Sequence, residues 1–414
     1  MTRSSLMLIY LLWLSGVGSF RLLSGLFDGG ESLNPKEFSA CKMANNIRQQ
    51  HLMNDTGGGD DETSCHATTN PRVIVVGDVH GSAIGLLDIL YGANITSAPN
   101  VCEWIEQGPG GTILVQIGDI VDREDQAIEA WRCLEALQSS SPKGSRVVRI
   151  LGNHELWWLQ GLYHMRHPKA DTREVVEEIV LDLKAGILDG RQQAAFVLSL
   201  GDVDILFIHA GLRPEMLEYL QTKLGNSSAP AIAEHMNSIL QEHTRGCPGF
   251  GRRCPYDDEI FQAGPDRGGD GIGGPFWTDF SVLERAEMSG SLARHLIQVV
   301  GHTVSECYRN YRGNEEHPPV DSIGCQKGLV RRTKNLNAVC VDGGMYLGAR
   351  TFLQISADGK FVSFEKDIHD LDKDGLTAEY WTRELTDEVC PSSSFHPNES
   401  IEIEEAEITV SVGA

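Results

Sequence analysis

RVIVVGDVHG, residues 72–81, is the stretch on which the fold turns. Its first half, Arg72 to Gly77, is a short run rich in β-branched residues, which reads as a buried strand. Its second half, Gly77-Asp78-Val79-His80-Gly81, puts a carboxylate and an imidazole where that strand must end. Residues 82–91 then have helical spacing. The pattern returns at Thr112 to Gly118 (TILVQIG), followed by Asp119-Ile120-Val121-Asp122-Arg123, and again at Arg146 to Gly152 (RVVRILG), followed by Asn153-His154-Glu155. A helix over 125–138 separates the second and third strands. Strands alternating with helices predict an α/β fold with a partly parallel sheet.

Downstream, 156 to about 190 reads as largely helical. Residues 196–200 and 203–208 form a hairpin about Gly201-Asp202, and 246–274, rich in Gly, Pro and charge, reads as an inserted loop. Strands return at 296–301, 338–342, 351–356 and 360–364. Helix-linked strands early and closely spaced strands late suggest a two-sheet β-sandwich flanked by helices. Order is expected from Pro71 to about residue 366. Residues 20–70, polar and glycine-rich, read as a flexible linker, and 367–414 as an acidic C-terminal tail.

In open α/β sheets, ligands bind outside the carboxyl ends of the strands. Three successive strand ends here deliver Asp, His, Asp, Asn and His, each after a glycine that lets the backbone turn sharply. Two later strand ends add His209-Ala210-Gly211 and Gly301-His302-Thr303. Neutral imidazoles and ionised carboxylates without a thiolate suit manganese, iron or zinc. The number of donors suits two ions sharing one carboxylate, about 3.5–4 Å apart, as in metal-dependent phosphoesterases.

These motifs resemble the calcineurin-like metallophosphoesterase superfamily. Gly-Asn-His-Glu and Asp-Arg are similar to the phosphoprotein phosphatases within it, in particular the Shewanella-like protein phosphatases. Supporting details are Met236-Asn237, Gly274-Pro275-Phe276-Trp277 and Val341-Asp342-Gly343-Gly344-Met345. The resemblance spans roughly residues 71–365 and implies an α/β/β/α sandwich. By motif, it implies that Asp78, His80 and Asp119 hold a first metal, and that Asp119 bridges to a second held also by Asn153, His209 and His302. His154 is implied to be a general acid oriented by Asp122, and Arg123 a bidentate phosphate ligand. The implied cofactors are two divalent or trivalent ions (Mn, Fe or Zn), and the implied substrate is a phosphorylated protein or peptide. Two rival readings share the motifs: a nucleotide or diadenosine-polyphosphate hydrolase, and a catalytically weak phosphate-binding scaffold.

Two positions depart from the resembled pattern. Glu124 follows Asp122-Arg123 where glycine is usual, and Thr278-Asp279 follow Trp277 where relatives often carry an arginine. Arg285 is a candidate substitute for that arginine if its helix turns it inward.

The charge balance limits the partners. With 35 Lys and Arg against 58 Asp and Glu, the formal net charge is −23. Nucleic-acid backbones and anionic membrane surfaces need the opposite sign. At the start, Arg3, the apolar run Leu6 to Leu14 and small residues to Ser19 read as a secretory signal peptide over 1–19. The run is too short for a comfortable span of about 20 residues, so no membrane span is expected after cleavage. A plastid route through a bipartite signal is the lesser alternative. Four glycosylation triplets begin at Asn54, Asn94, Asn226 and Asn398. Of the ten cysteines, Cys247 and Cys254 flank a tight loop and form the best candidate disulfide. Asp370 to Gly375 matches half of a calcium loop, but Trp381 stands where the bidentate glutamate belongs.

Overall fold

The computed structural model describes residues 71–367 and 380–385, apart from 109, 201–202, 226–227, 248–253, 294–295 and 305–328. The signal peptide, the linker, the half calcium loop and the triplets at Asn54, Asn226 and Asn398 lie outside the described residues.

The first three strands fall where the β-branched runs predict them: β1 (Arg72–Val76), β2 (Thr112–Gln116) and β3 (Arg146–Ile150). They pair in parallel, and a two-residue β4 (Gln192–Gln193) extends the set beyond β3. Helices α1 (Ala83–Gly92) and α2 (Ala127–Ser139) make the crossovers. On the other side of β1 come three antiparallel neighbours: β10 (Ala349–Ile355), β11 (Phe361–Asp367) and β12 (Trp381–Leu385).

The second sheet has five strands. The hairpin β5 (Ala195–Leu200) and β6 (Val203–Ile208) pairs through β6 with β7 (Leu296–Val300), then β9 (Ala338–Cys340) and β8 (Arg331–Arg332). Its central strands β6, β7 and β9 are parallel.

Strand periodicity explains the layers. Side chains alternate faces, so Val73, Val75, Ile113, Val115 and Ile117 join Ile205, Phe207, Val299 and Val339 in one buried cluster between the sheets. Their neighbours Ile74, Val76, Leu114, Leu206 and Ile208 face outward and pack under helices. Strands buried on both faces are continuously apolar, and burying a Val, Leu or Ile side chain is worth about 1.5–3 kcal/mol. The result is the expected two-sheet sandwich flanked by helices.

Three boundaries differ from the sequence reading. The segment 156–190 is two helices, α3 (Asn153–Leu159) and α4 (Arg173–Asp189), with 160–172 between them. Gly161 at φ +74° and the His167-Pro168 step break the periodicity, because proline disfavours helix in the residue before it. Thr172 then caps α4 by accepting from the Val175 N–H. Helices α5 (Pro214–Leu224) and α6 (Ala229–Arg245) fill a stretch given no element above. Finally, the domain does not end at 366. β12 pairs with β11, Leu385 is buried, and Arg383 donates to the buried Glu365 carboxylate at 3.1 Å. A five-residue strand within acidic sequence gives too little periodicity to stand out.

Two disulfides are present among the described residues, Cys102–Cys133 and the expected Cys247–Cys254.

Candidate metal centre

The carboxyl ends of β1, β2, β3, β6 and β7 converge. Backbone bonds lock the first two loops together: the Val79 and His80 N–H groups donate to the Asp119 carbonyl at 2.9 and 2.8 Å. The Gly301 N–H donates to the His209 carbonyl at 2.7 Å, which joins the loops of the second sheet. The loops approach so closely that glycine is required at the turns. A Cβ on Gly152 would lie 2.1 Å from the Asp119 carboxylate, and one on Gly301 would lie 2.2 Å from that of Asp78.

Asp119 stands at the middle. Its Oδ2 lies 3.6 Å from His80 Nε2, 3.7 Å from His154 Nε2 and 3.5 Å from His209 Nε2. Asp78 Oδ2 is 3.9 Å from His80 Nε2, and the same carboxylate accepts from the His302 N–H at 3.0 and 3.1 Å. Asn153 Oδ1 lies 2.9 Å from both His209 Nε2 and His302 Nδ1. The donor atoms fall into two overlapping groups, His80–Asp119–His154 and Asp119–His209–His302, each within 4.8 Å. Asp119 belongs to both.

The rings are held by their outer nitrogens. His80 Nδ1 meets the Val121 carbonyl at 3.1 Å and His209 Nδ1 meets the Ile117 carbonyl at 2.8 Å. Each carbonyl fixes the proton on Nδ1 and leaves the Nε2 lone pair facing Asp119, the orientation that metal-ligating imidazoles need. Burial lowers the pKa of His80 and His302 well below the ordinary imidazole value, so both are neutral and free to coordinate. On His302, the charges of His209 and Arg267 act in the same direction. Burial is the largest influence on Asp119 and opposes its ionisation, but the imidazoles of His209, His154 and His80 together outweigh it and hold the carboxyl well below its usual range. These donors fit a pair of first-row transition-metal ions.

His154 differs from the other imidazoles. Its Nδ1 donates to Asp122 Oδ2 at 2.6 Å, and the other Asp122 oxygen accepts from Trp158 Nε1 at 2.8 Å. Arg123 lays its guanidinium over the Tyr346 ring, 4.3 Å from the centroid, and that ring is 5.1 Å from the His80 ring. All nine residues singled out by motif thus meet at or beside one cluster. Glu124 is exposed, and its main-chain N–H donates to the His80 carbonyl at 3.1 Å. Arg285 is also exposed, on helix α7 (Phe280–Met288), and does not turn inward.

Sequence reasoning passed over three contributors. Glu155 accepts from the N–H groups of Gly152, Asp119, Ile120 and Val121 at 2.7–3.0 Å, fastening the second loop to the third. Burial pushes its carboxyl pKa up and the neighbouring Asp119 charge adds to this, while the Val121 N–H pulls it back. Trp157 and Trp277 form an aromatic wall: Trp157 is 4.9 Å from the His154 ring and 5.2 Å from the Trp277 ring. Arg267 comes from the inserted loop and ion-pairs with Asp279. The doubled tryptophan after the third motif and the Gly274-Pro275-Phe276-Trp277 run were the signals for the wall, and nothing in the sequence marked Arg267.

Residues 71–254 match the family model for calcineurin-like phosphoesterase. An uncharacterised protein of Schizosaccharomyces pombe is 35% identical over 150 residues, 34% of this chain and 44% of that protein. Shewanella-like protein phosphatase 1 of Plasmodium berghei is 34% identical over 101 residues, 24% of this chain and 26% of that protein. A symmetrical bis(5'-nucleosyl)-tetraphosphatase of Azotobacter vinelandii is 32% identical over 109 residues, 26% of this chain and 36% of that protein. The chain therefore matches less than half the length of each of these curated relatives.

Proposed function

We propose that this chain is a calcineurin-like phosphoesterase, and within that family a metal-dependent phosphomonoesterase that acts on phosphorylated protein. The observation that carries the reading is the position of Asp119 Oδ2, shared between two sets of imidazole donors. In this reading Asp78, His80 and Asp119 hold one ion, and Asp119, Asn153, His209 and His302 hold the other, with Mn, Fe or Zn as suitable metals. When bound, the pair supplies an activated water nucleophile and positive charge for the phosphoryl oxygens.

The chain's own residues do the rest. Asp122 holds the Nδ1 proton of His154, so His154 Nε2 can carry the proton given to the departing oxygen. Arg123, flat against Tyr346, is placed to grip phosphoryl oxygens through its fork of N–H donors. Trp157 and Trp277 wall off the His154 side and limit water there. No covalent phosphoenzyme is needed.

Phosphoprotein is favoured over a dinucleotide by the motifs shared with the Shewanella-like phosphatases and by a net charge of −23, whose field does not attract a polyphosphate. The second reading, a dinucleotide hydrolase, has the similarity to the Azotobacter tetraphosphatase in its favour. A panel of phosphoserine, phosphothreonine and phosphotyrosine peptides and diadenosine tetraphosphate, run with manganese and with chelator, separates them. Turnover of the peptides that chelator abolishes is expected. Turnover of the dinucleotide alone would replace the first reading with the second, and no turnover of any would leave the scaffold reading.

A secretory location is part of the proposal. Two disulfides support it, since such bonds persist in oxidising compartments, and so does the exposed Asn94 of an Asn-Ile-Thr triplet. Protein from its native cells should shift on a gel after glycosidase and again after reduction. Absence of both shifts would reject the location.

A further inference from the structure

The centre is rich in carboxylates, the whole chain carries −23, and a phosphomonoester brings about two further negative charges. A phosphate between the ions needs cationic partners on the protein side. Arg123 supplies one at the His80 end. At the His302 end the first candidates fail: Thr278 is buried and Arg285 is exposed on the outer face of its helix.

The inserted loop fills this position. Its 3-10 turn Pro265–Arg267 ends in a side chain whose Nη2 donates to Asp279 Oδ1 at 2.5 Å. Asp279 is itself fixed against the centre. The next residue, Phe280, donates its N–H to Thr303 Oγ1 at 3.0 Å, and Thr303 directly follows His302. Two residues before Asp279, the Trp277 ring lies 6.4 Å from the His302 ring. The Arg267 guanidinium is therefore anchored on the His302 side through Asp279 and its neighbours. Its other nitrogens make no protein hydrogen bond among the described residues, and the side chain is 29% exposed. Asp279 engages one corner of the fork and leaves the rest free for an incoming anion.

We propose that Arg267 is a second phosphate-gripping residue, reaching the centre from the inserted loop and aimed by Asp279, so that the phosphoryl group is held between Arg123 at one end and Arg267 at the other. Asp279 is a positioning residue. This rests on the reading of the centre as a phosphomonoesterase site. A salt bridge that exists only to brace the loop would give the same pair of contacts, and phosphate affinity distinguishes the two.

The test uses the full, manganese-loaded protein and inorganic phosphate as the probe. Calorimetric phosphate affinity, KM and kcat on one phosphopeptide, metal content and melting temperature are measured for the wild type, Arg267→Ala, Arg267→Lys and Asp279→Ala. A charge-assisted hydrogen bond is worth about 1.5–3 kcal/mol, so Arg267→Ala should weaken phosphate binding about 10- to 100-fold and raise KM in step, with both metals retained. Arg267→Lys should recover part of this, because it keeps the charge but loses the fork. Asp279→Ala should weaken binding less, and should add nothing in the Arg267→Ala background. Phosphate affinity unchanged in Arg267→Ala, in a protein whose wild type binds phosphate and turns over the peptide, overturns this inference alone. A metal-loaded wild type that neither binds phosphate nor turns over the peptide overturns the phosphatase reading, and this inference with it.

Discussion

The Glu155 carboxylate accepts the main-chain N–H of Asp119 at 2.8 Å, across the gap between two strand-end loops. With its bonds to Gly152, Ile120 and Val121, it holds the central metal-site carboxylate from behind. Glutamine would keep the shape but turn an amide N–H₂ toward these donors. Leaving buried donors unsatisfied costs about 1–3 kcal/mol each. Glu155→Gln should therefore lower stability by about 2–4 kcal/mol, read as an earlier denaturant midpoint with an unchanged m-value. An unmoved midpoint would show that the four bonds contribute little.

His154 and Asp119 should separate when each is replaced. Asp119→Asn weakens a donor common to both groups of imidazoles, so metal content should fall at both positions, measured by elemental analysis, and turnover with it. His154→Asn should keep the metals while the rate falls about 10²–10⁴-fold. That loss should shrink on aryl phosphates, whose leaving groups need little protonation. Metal loss in His154→Asn would make His154 a ligand, a role its place in the His80–Asp119 group also permits geometrically.

Glu124 leaves its carboxylate in solvent beside Arg123. Its side chain is exposed, and the bond it makes to His80 is through the main chain. Water and salt screen such a charge over about 8–10 Å. Glu124→Gln should change the inhibition constant for inorganic phosphate by less than about twofold, at low and at moderate salt. A tenfold improvement would place the carboxylate at the phosphate after all.

Tyr256 sets an alkaline limit. Its buried hydroxyl meets Thr244 Oγ1 at 3.0 Å, and burial pushes the phenol up to about 12. A raised phenol stays protonated in the folded chain after the unfolded chain has lost its proton. Stability therefore falls as pH rises from about 10 to about 12, by up to about 3 kcal/mol in total. Tyr256→Phe leaves Thr244 still donating to the Leu240 carbonyl at 2.7 Å. It should cost about 1 kcal/mol at pH 7 and flatten the decline above pH 10. Parallel pH–stability curves for the two proteins would reject this.

Much of the centre could be read directly because ligands at strand ends are both local and chemically distinctive. Asp78, Asp119 and Asn153 each follow a β-branched run and a glycine, so fold signal and site signal coincide. His209 and His302 were legible because each stands at the end of a strand-like apolar run beside a glycine, Gly211 after the first and Gly301 before the second. What stayed hidden depends on distance along the chain. The approach of Arg267 to Asp279 is made by an irregular loop with no period, Cys102 and Cys133 stand 31 residues apart, and β12 is a short strand within acidic sequence. Glu155 was visible as a letter in a motif, but its four backbone bonds come from loops that only the folded sheet brings together.

The backbone at the centre has a consequence for how such a chain can change. Five of the seven non-glycine residues with positive φ among the described residues are site residues: His80, Asp119, Asp122, Arg123 and His302. Each stands where glycine would relieve about 1 kcal/mol or more. Selection for thermal tolerance alone should thus accumulate glycines at these positions, and selection for turnover should remove them. The alignment of strain with chemistry makes these five sites a record of which pressure a lineage has been under: a descendant that no longer works as a catalyst should reveal itself first by glycines here, while its core remains intact.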